Sequence, residues 1–258
     1  SRVTIAAIDG NTLTLSKPLD FEHAAAAGQL PYVANCTRNI VVRSENPRGT
    51  RGHTMFMDTA HVNLYYTAFL DLGRTLPKRL DSYDAKTQHV GTNQIARYGG
   101  PHWHHVHGHA DAQELTGRLV GCYGNGSDIT KWFLVQHGTH DLLIADNVAD
   151  QFVGGSFVTE DGFEVRGRYL RNFACGSRGN GTNGKFNLLN SGEPGTQHAP
   201  GAEGSGFWFH GSAHVVHSNV SINNSVGYQI MHMHQVTGRK IPLEPGGPAN
   251  TKFDPAAS

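Results

Sequence analysis

The sequence carries no excess of either charge sign and no long apolar run. Its 21 lysine and arginine residues balance 21 aspartate and glutamate residues, so the basic surface that typically binds nucleic acid is not predicted. No stretch reaches the roughly 20 apolar residues that a transmembrane helix needs, and we therefore expect no membrane insertion. No signal peptide is recognisable and the first residue is not Met, so we interpret the chain as a mature or excised segment.

Cysteine is also scarce. Cys36, Cys122 and Cys175 are widely spaced, odd in number and without a CxxC pair. This pattern argues against a disulfide framework, and it leaves the redox state of the three thiols open. Stability must instead come from burial of apolar side chains, for which a chain of 258 residues is long enough.

Long amphipathic helices are missing, and the apolar residues come in short runs rich in β-branched side chains. Two such runs flank the Asp-Gly-Asn segment at 9–11, which predicts a β-hairpin. Three later runs end at Asn147, Asn172 and Asn219, which are 25 and 47 residues apart. The second interval is about twice the first, which indicates a structural unit repeated about every 23–25 residues.

This repeat predicts an all-β fold, a parallel β-helix with long loop insertions near 75–92 and 176–206. In such a fold, asparagine occupies a tight turn of each coil, where it tolerates left-handed geometry and hydrogen-bonds the coils above and below. We expect a β-rich N-terminal piece at 1–34, the β-helix at 35–238 and an extended tail at 239–258. The main alternative is a β-sandwich with long loops.

Histidine is the residue type that is most clearly in excess. The chain has 17 histidines, and five of them lie in the segment from His102 to His109. Imidazole binds transition metals and transfers protons near neutral pH, so the run indicates a metal site or an acid–base site. Alternate side chains of a strand face opposite sides, so only part of the run can share a face. We favour His102 and His104, because Trp103 between them would then face the core.

Aligning the repeat on glycine places other side chains beside this pair. Segments 135–138, 159–162 and 208–211 then match, so that His137, Asp161 and His210 become neighbours on successive coils. Matching positions of stacked strands lie about 4.8 Å apart, close enough for side chains to share an ion. The glycines at 99–100 are expected to let the strand bend and open a cleft. We predict a divalent ion, with zinc, copper, manganese or calcium as candidates. The predicted ligands are His102, His104, His137 and His53.

Several segments also occur in the order found in a known family. The segments 35–46, 51–57 and 69–75, the pair Arg97 and Tyr98 before the histidine run, and the Glu-Asp-Gly-x-Glu segment at 160–164 resemble bacterial G8-domain β-helix proteins. These bacterial proteins are relatives of the cell-surface hyaluronidase TMEM two and the cell-migration-inducing hyaluronan-binding protein. The histidine block departs from the family pattern by one additional residue after Tyr98 and by Trp103 in place of phenylalanine.

The resemblance covers about residues 3–233 and implies a right-handed β-helix, preceded in the family by a G8 module. It also implies an extracellular or cell-surface protein that acts on a glycosaminoglycan-like, uronate-containing polysaccharide. We therefore predict a secreted enzyme that depolymerises a sugar chain lying along the stacked coils, by hydrolysis or by lyase chemistry.

We predict separate residues for catalysis and for substrate binding. The catalytic candidates, which would transfer protons or stabilise charge, are Glu160, Asp161, His105 and Arg97. The candidates for substrate binding, a mixture of aromatic and polar groups, are Trp103, Trp208, Tyr98, Glu164 and His210. Two other functions stay open, namely glycan binding without turnover and oxidative chemistry by copper among the histidines. The sequence does not determine the glycan or the oligomeric state.

Overall fold

The computed structural model describes residues 1–25, 27–48, 51–73, 98–106, 114–127, 130–160, 162, 164–179, 204–211 and 213–230, and the backbone of 83–84 and 89–90. The regular structure of these residues consists of strands. The chain divides into two compact units, Ser1–Asn35 and Cys36–Ser258. None of the described residues forms a helix long and apolar enough to cross a membrane. The predicted tail at 239–258 lies outside the described residues.

The N-terminal unit contains an antiparallel pair of strands, β1 (Ile5–Asp9) and β2 (Thr12–Leu15). The pair Asp9–Thr12 closes the hairpin, and Gly10 between them has a φ of 54°. Glycine adopts this left-handed conformation without a steric penalty, which explains the hairpin that the Asp-Gly-Asn segment predicts.

The second unit contains the other strands. In chain order they are β3 (Ile40–Arg43), β4 (Thr54–Met57), β5 (Val62–Tyr65), β6 (Thr67–Leu70), β7 (Tyr83–Asp84), β8 (His89–Val90), β9 (Pro101–His104), β10 (Gly117–Val120), β11 (Tyr123–Asn125), β12 (Leu134–His137), β13 (Leu142–Ala145), β14 (Val148–Asp150), β15 (Gly155–Thr159), β16 (Arg168–Leu170), β17 (Phe173–Cys175), β18 (Ser205–Phe209), β19 (Val215–His217), β20 (Val220–Ile222) and β21 (Val226–Ile230). Strands β7 and β8 form a separate antiparallel pair.

The remaining strands form three parallel sheets, and each coil of the chain contributes one strand to each sheet in turn. Sheet I has the order β19-β16-β13-β10-β5, sheet II the order β20-β17-β14-β11-β6-β3, and sheet III the order β21-β18-β15-β12-β9-β4. The architecture is a right-handed parallel β-helix, as predicted, and the parallel pairing of all these strands rules out the β-sandwich.

The observed period agrees with the predicted one. Leu143 pairs with Arg168, 25 residues later, and Val135 pairs with Val158, 23 residues later. The interval rises to 50 residues where Val158 pairs with Trp208, across the predicted insertion at 176–206. The coils before and after this insertion therefore pair directly with each other, and the insertion does not add a coil between them.

Aromatic side chains fill the interior of the coil stack. Trp103, Phe133, Phe157 and Phe207 are fully buried. The rings of Phe157 and Phe207 stack with centroids 5.0 Å apart. Each such side chain contributes about 1.5–3 kcal/mol through removal of apolar surface from water, so this column is a large part of what holds the coils together.

Asparagines form a second column, at the corner between sheets I and II. Asn147 Nδ2 donates to Asn172 Oδ1 at 2.9 Å, and Asn172 Nδ2 donates to Asn219 Oδ1 at 2.9 Å. We call these three residues the asparagine ladder, and it forms the hydrogen bonds between coils that the repeat predicts. The left-handed conformation, however, belongs to the preceding residues, such as Asp146 and Arg171 with φ of 58° and 53°, and not to the asparagines.

Candidate functional site

The outer face of sheet III carries the histidines that the strand alternation selects. In β9, His102 and His104 face outwards, and Trp103 faces inwards, where its ring packs against Phe56 with centroids 5.4 Å apart. Pairing in register then places His104 beside His137 on the next coil. The rings of His104 and His137 stack with centroids 4.5 Å apart and planes 9° apart.

Three of these imidazoles converge. His102, His104 and His137 each offer a ring nitrogen, and these nitrogens lie within 4.8 Å of one another. We call these three residues the histidine cluster. Nitrogen ligands about 2.0–2.1 Å from a common zinc ion are separated by a little over 3 Å, so only small side-chain rotations would complete a metal site.

Two histidines of the cluster have ring nitrogens that the protein itself does not satisfy. Both nitrogens of His102 and Nδ1 of His104 are buried, with no hydrogen-bond partner in the described part of the chain. Burial lowers the pKa of His102 well below its usual value, and it lowers the pKa of His104 to about 4, with a further contribution from the charge of His137. Both rings are therefore neutral at pH 7, the state in which imidazole binds a metal.

Glu160 supports the cluster from the next coil. Because Gln136 pairs with Thr159, the following residues His137 and Glu160 are neighbours, and His137 Nδ1 donates to Glu160 Oε2 at 2.8 Å. Burial raises the pKa of this carboxyl group, but the charge and hydrogen bond of His137, with smaller contributions from His102 and Lys131, lower it to about 2. Glu160 is therefore ionised at neutral pH.

The alignment that placed Asp161 beside His137 is wrong by one residue. Counted from the paired residues Gln136 and Thr159, one residue precedes Gly138 but two precede Gly162, so an alignment on these glycines shifts the register by one. Asp161 itself lies outside the described residues. The match between His137 and His210 is not affected, because Thr159 pairs with Phe209, which places His210 beside Glu160.

His105 joins the same site, although the alternation of a strand predicts that it faces the other side. Strand β9 ends at His104, and His105 has a left-handed backbone with a φ of 52°, which turns its ring back to the cluster. Its Nε2 lies 3.0 Å from Nε2 of His137. A side chain at Gly138 would meet the His105 ring at 3.0 Å, so glycine on the next coil makes room for it.

Two predicted binding residues serve as internal supports. Glu164 is fully buried, and its carboxylate accepts hydrogen bonds from the backbone N–H groups of Gly138 at 3.0 Å and Gly162 at 2.8 Å. His210 is 2% exposed, and its Nδ1 donates to the backbone carbonyl of Glu160 at 2.9 Å. Both side chains fix the turns around the cluster, so direct contact with a substrate is not their role in this conformation.

The aromatic residues predicted to bind substrate are buried. Trp103 is 0%, Trp208 1% and Tyr98 5% exposed, and none of them presents a ring face to solvent. Trp103 belongs to the interior column, whereas Tyr98 and Trp208 form a second apolar cluster with Trp132 on the outer face of sheet III. These rings therefore offer no exposed face to a sugar in this conformation, and their role in substrate binding stays a prediction.

The remaining predicted residues are less closely associated with the site. His53 is near enough for its charge to influence the pKa of His102, but it is not one of the three converging ligands. Arg97 lies outside the described residues, as do His107 and His109. Gly99 and Gly100 allow close packing, since side chains there would meet Thr130 and Phe133 at 2.7 and 2.4 Å.

Lys131 is a site residue that the sequence did not reveal. It is buried, its Nζ lies 4.0 Å from the centroid of the Trp132 ring, and its charge lowers the pKa of Glu160. A lysine beside a tryptophan is not part of any periodic sequence pattern. Its position near the histidines is therefore known only from the way in which the coils stack. The site thus combines three imidazoles, one ionised carboxylate and a buried cation, a set suited to binding a metal beside an anionic ligand.

Comparison with known proteins gives one match. The profile of the family described as CEMIP beta-helix matches residues 78–253, more than half of the chain. No curated protein and no solved structure matches significantly. The match includes β9, β12 and β15, the strands that carry or precede the histidine cluster and Glu160. By this match, the chain belongs to the CEMIP β-helix family.

Proposed function

We propose that this protein is an extracellular or cell-surface enzyme that depolymerises a hyaluronan-like, uronate-containing polysaccharide with the help of a metal ion in the histidine cluster. The observation that carries the proposal is the convergence of His102, His104 and His137. Both ring nitrogens of His102 and Nδ1 of His104 are buried and lack hydrogen-bond partners in the described part of the chain. An unpaired buried nitrogen costs about 1–3 kcal/mol, and binding to an ion removes that cost. Membership of a hyaluronan-related family supports the choice of substrate.

The donor set fits a transition metal. Three imidazole ligands leave one position of a tetrahedral ion open, as in catalytic zinc sites. The hydrogen bond from His137 Nδ1 to Glu160 fixes the tautomer in which Nε2 carries the lone pair, and Nε2 would bind the ion in place of its present contact with His105 Nε2 at 3.0 Å. A carboxylate supports a metal-binding histidine in this arrangement. When bound there, the ion would activate a water molecule or neutralise a uronate carboxylate.

The other residues have separate roles in this proposal. Glu160, with a pKa of about 2, is a poor proton donor at neutral pH, and we assign it the orientation of His137. His105 is partly exposed and lies 3.0 Å from His137, so it is the described residue best placed to exchange a proton with a bound sugar. This assignment fits either protonation of a leaving oxygen in a hydrolase or removal of the C5 proton in a lyase.

The test compares metal content and polysaccharide products. Protein purified without a histidine tag is expected to contain about one transition-metal ion, measured by mass spectrometry, and to shorten hyaluronan, chondroitin or another uronate polymer. His104→Ala should lose both properties, whereas His217→Ala, an exposed histidine on β19, should retain them. An unsaturated product would indicate a lyase, and a reducing end without unsaturation a hydrolase.

Other results would favour the competing functions. A polymer that binds but keeps its length in every assay would indicate a glycan-binding β-helix without turnover. Copper in the protein together with oxidised sugar ends would indicate oxidative chemistry. Depolymerisation that is unchanged in His104→Ala would show that the reaction does not need the histidine cluster.

A second variant tests the supporting carboxylate. Glu160→Gln keeps an oxygen that accepts from His137 but removes the negative charge, and we expect zinc affinity to fall about 10–100-fold, measured by competition with a chelator. Glu45→Gln removes an exposed carboxylate elsewhere and serves as the control. Equal affinities of the two variants would mean that Glu160 does not support a metal ligand.

A further inference from the structure

The hydroxyl group of Tyr98 contacts the carboxylate that holds His137. It lies 3.3 Å from Oε1 and 3.2 Å from Oε2 of Glu160, while Oε2 also accepts from His137 Nδ1 at 2.8 Å. A phenol and an imidazole thus donate to one carboxylate. Two donors restrict the rotation of a carboxylate more than one does, so Tyr98 limits the positions that Glu160 can offer to His137.

The ring of Tyr98 also contacts a member of the histidine cluster. It meets the His102 ring edge to face, with centroids 4.6 Å apart and planes 88° apart. The phenol is therefore in contact with His102 through its ring and with Glu160 through its hydroxyl group. One side chain connects two parts of the site that come from different coils.

An aromatic and cationic stack holds Tyr98 in this position. Its ring lies parallel to Trp132, with centroids 5.0 Å apart and planes 6° apart, and the backbones of the two residues form a parallel bridge. Lys131 Nζ lies 4.0 Å from the centroid of the Trp132 ring, within the range of a cation–π interaction. The buried cation also favours the ionised form of Glu160.

The glycines after Tyr98 allow the backbone to come this close. The Gly99 N–H donates to the Trp132 carbonyl at 2.7 Å. A Cβ on Gly99 would lie 2.7 Å from Thr130, and one on Gly100 would lie 2.4 Å from the Phe133 ring. Larger residues would lift the chain from the coil and move the Tyr98 hydroxyl away from Glu160, which gives these glycines a positional role.

We propose that Tyr98 is a positioning residue, which orients Glu160 and His102 so that the histidine cluster is arranged before its ligand binds, with Trp132 and Lys131 as its support. The proposal rests on the proposed function only in that the groups being oriented are metal ligands and the carboxylate behind them. It gives Tyr98, which is buried, a role that needs no direct contact with a substrate.

The experiment compares two tyrosines that have matched surroundings. Tyr98 and Tyr123 are each 5% exposed and each place a hydroxyl 3.2–3.3 Å from a carboxylate, Glu160 or Asp150. Tyr98→Phe keeps the stacking and loses only the hydroxyl group, and we expect zinc affinity to fall about tenfold. Tyr123→Phe should lose a similar hydrogen bond in sheet II without changing zinc affinity.

A second measurement does not depend on metal. In the metal-free protein, the His137 Nδ1–H proton should give a downfield nuclear magnetic resonance signal, protected by its bond to Glu160. We expect that proton to exchange faster with water in Tyr98→Phe and at the wild-type rate in Tyr123→Phe. Lys131→Met, which keeps the aliphatic stem but removes the charge, should have a smaller effect in the same direction.

The outcomes separate the two proposals. Wild-type zinc affinity and wild-type exchange in Tyr98→Phe would overturn the positioning role while leaving the proposed function intact. A wild-type protein that binds no metal would contradict the proposed function, and faster exchange of the His137 proton in Tyr98→Phe would still support the positioning role. Equal effects of Tyr98→Phe and Tyr123→Phe would indicate general destabilisation of the protein, and they would also overturn the positioning role of Tyr98.

Discussion

The asparagine ladder and the histidine cluster are built in the same way, because each stacks one type of polar side chain across successive coils. They differ in how their polar atoms are satisfied. In the ladder, Asn147 and Asn172 are fully buried, and each side-chain amide donates to the next asparagine and to a backbone carbonyl. In the cluster, both nitrogens of His102 and one of His104 have no partner among the described residues.

This difference separates a structural column from a column suited to binding. A buried polar network whose members are all paired stabilises the fold, whereas a partly paired one costs free energy unless something else completes it. Although the two columns share the same coil geometry, we therefore expect different effects when their residues are substituted. Substitution in the ladder should lower stability, and substitution in the cluster should lower ligand binding.

Asn172→Ala is expected to have the largest effect on stability. The substitution removes the donor to the Ile144 carbonyl and both hydrogen bonds to neighbouring asparagines. Since each unsatisfied buried group costs about 1–3 kcal/mol, the free energy of unfolding should fall by about 3 kcal/mol. Urea unfolding measures it, with Asn63→Ala, an exposed asparagine on β5, as the control. If Asn172→Ala lowered the free energy of unfolding by less than Asn63→Ala does, the ladder would not hold the coils together.

A partly buried histidine outside the cluster gives a smaller effect, which depends on pH. Burial, with a contribution from the charge of His140, lowers the pKa of His214 to about 4. The unfolded chain then binds a proton between about pH 6.5 and pH 4 that the folded chain does not, so stability is complete above pH 6.5 and falls as the pH is lowered. Between pH 7.5 and pH 5, His214 should account for a decrease of about 1–2 kcal/mol in the free energy of unfolding.

His214→Gln isolates that contribution. Glutamine retains an acceptor for the Gly167 N–H group, which now donates to His214 Nδ1 at 3.1 Å, but it does not titrate. The variant should lose less stability than the wild type when the pH falls from 7.5 to 5, as followed by urea unfolding at both values. His217→Gln, at an exposed position, should follow the wild type. Parallel pH profiles for all three proteins would rule out His214 as a source of the acid sensitivity.

Much of the fold could be predicted from the sequence, because it depends on a period. The spacing of Asn147, Asn172 and Asn219 predicts the coil length, and the alternation of side chains places His102 and His104 on one face. Both rules follow from the regular geometry of stacked strands.

The details of the site could not be predicted, because they depend on turns. One additional residue after β15 puts Glu160, and not Asp161, beside His137. A left-handed conformation at His105 brings its ring to the cluster after the strand has ended. Turn lengths and left-handed positions vary from coil to coil without a periodic signal, so they appear only in the structure. The burial of Tyr98 likewise results from packing between distant segments.

The smallest expected effect provides the sharpest contrast with the ladder. In metal-free protein, His104→Gln removes a ring that stacks on His137 at 4.5 Å, but it also removes a buried nitrogen that has no partner within the described chain. These contributions oppose each other, and we expect the free energy of unfolding to change by less than about 0.5 kcal/mol.

Zinc at 100 times its dissociation constant should stabilise the wild type and His217→Gln by about 2.7 kcal/mol, but not His104→Gln. If His104→Gln without zinc instead cost as much as Asn172→Ala, the histidine cluster would be a second structural ladder, and its unpaired nitrogens would not indicate a ligand.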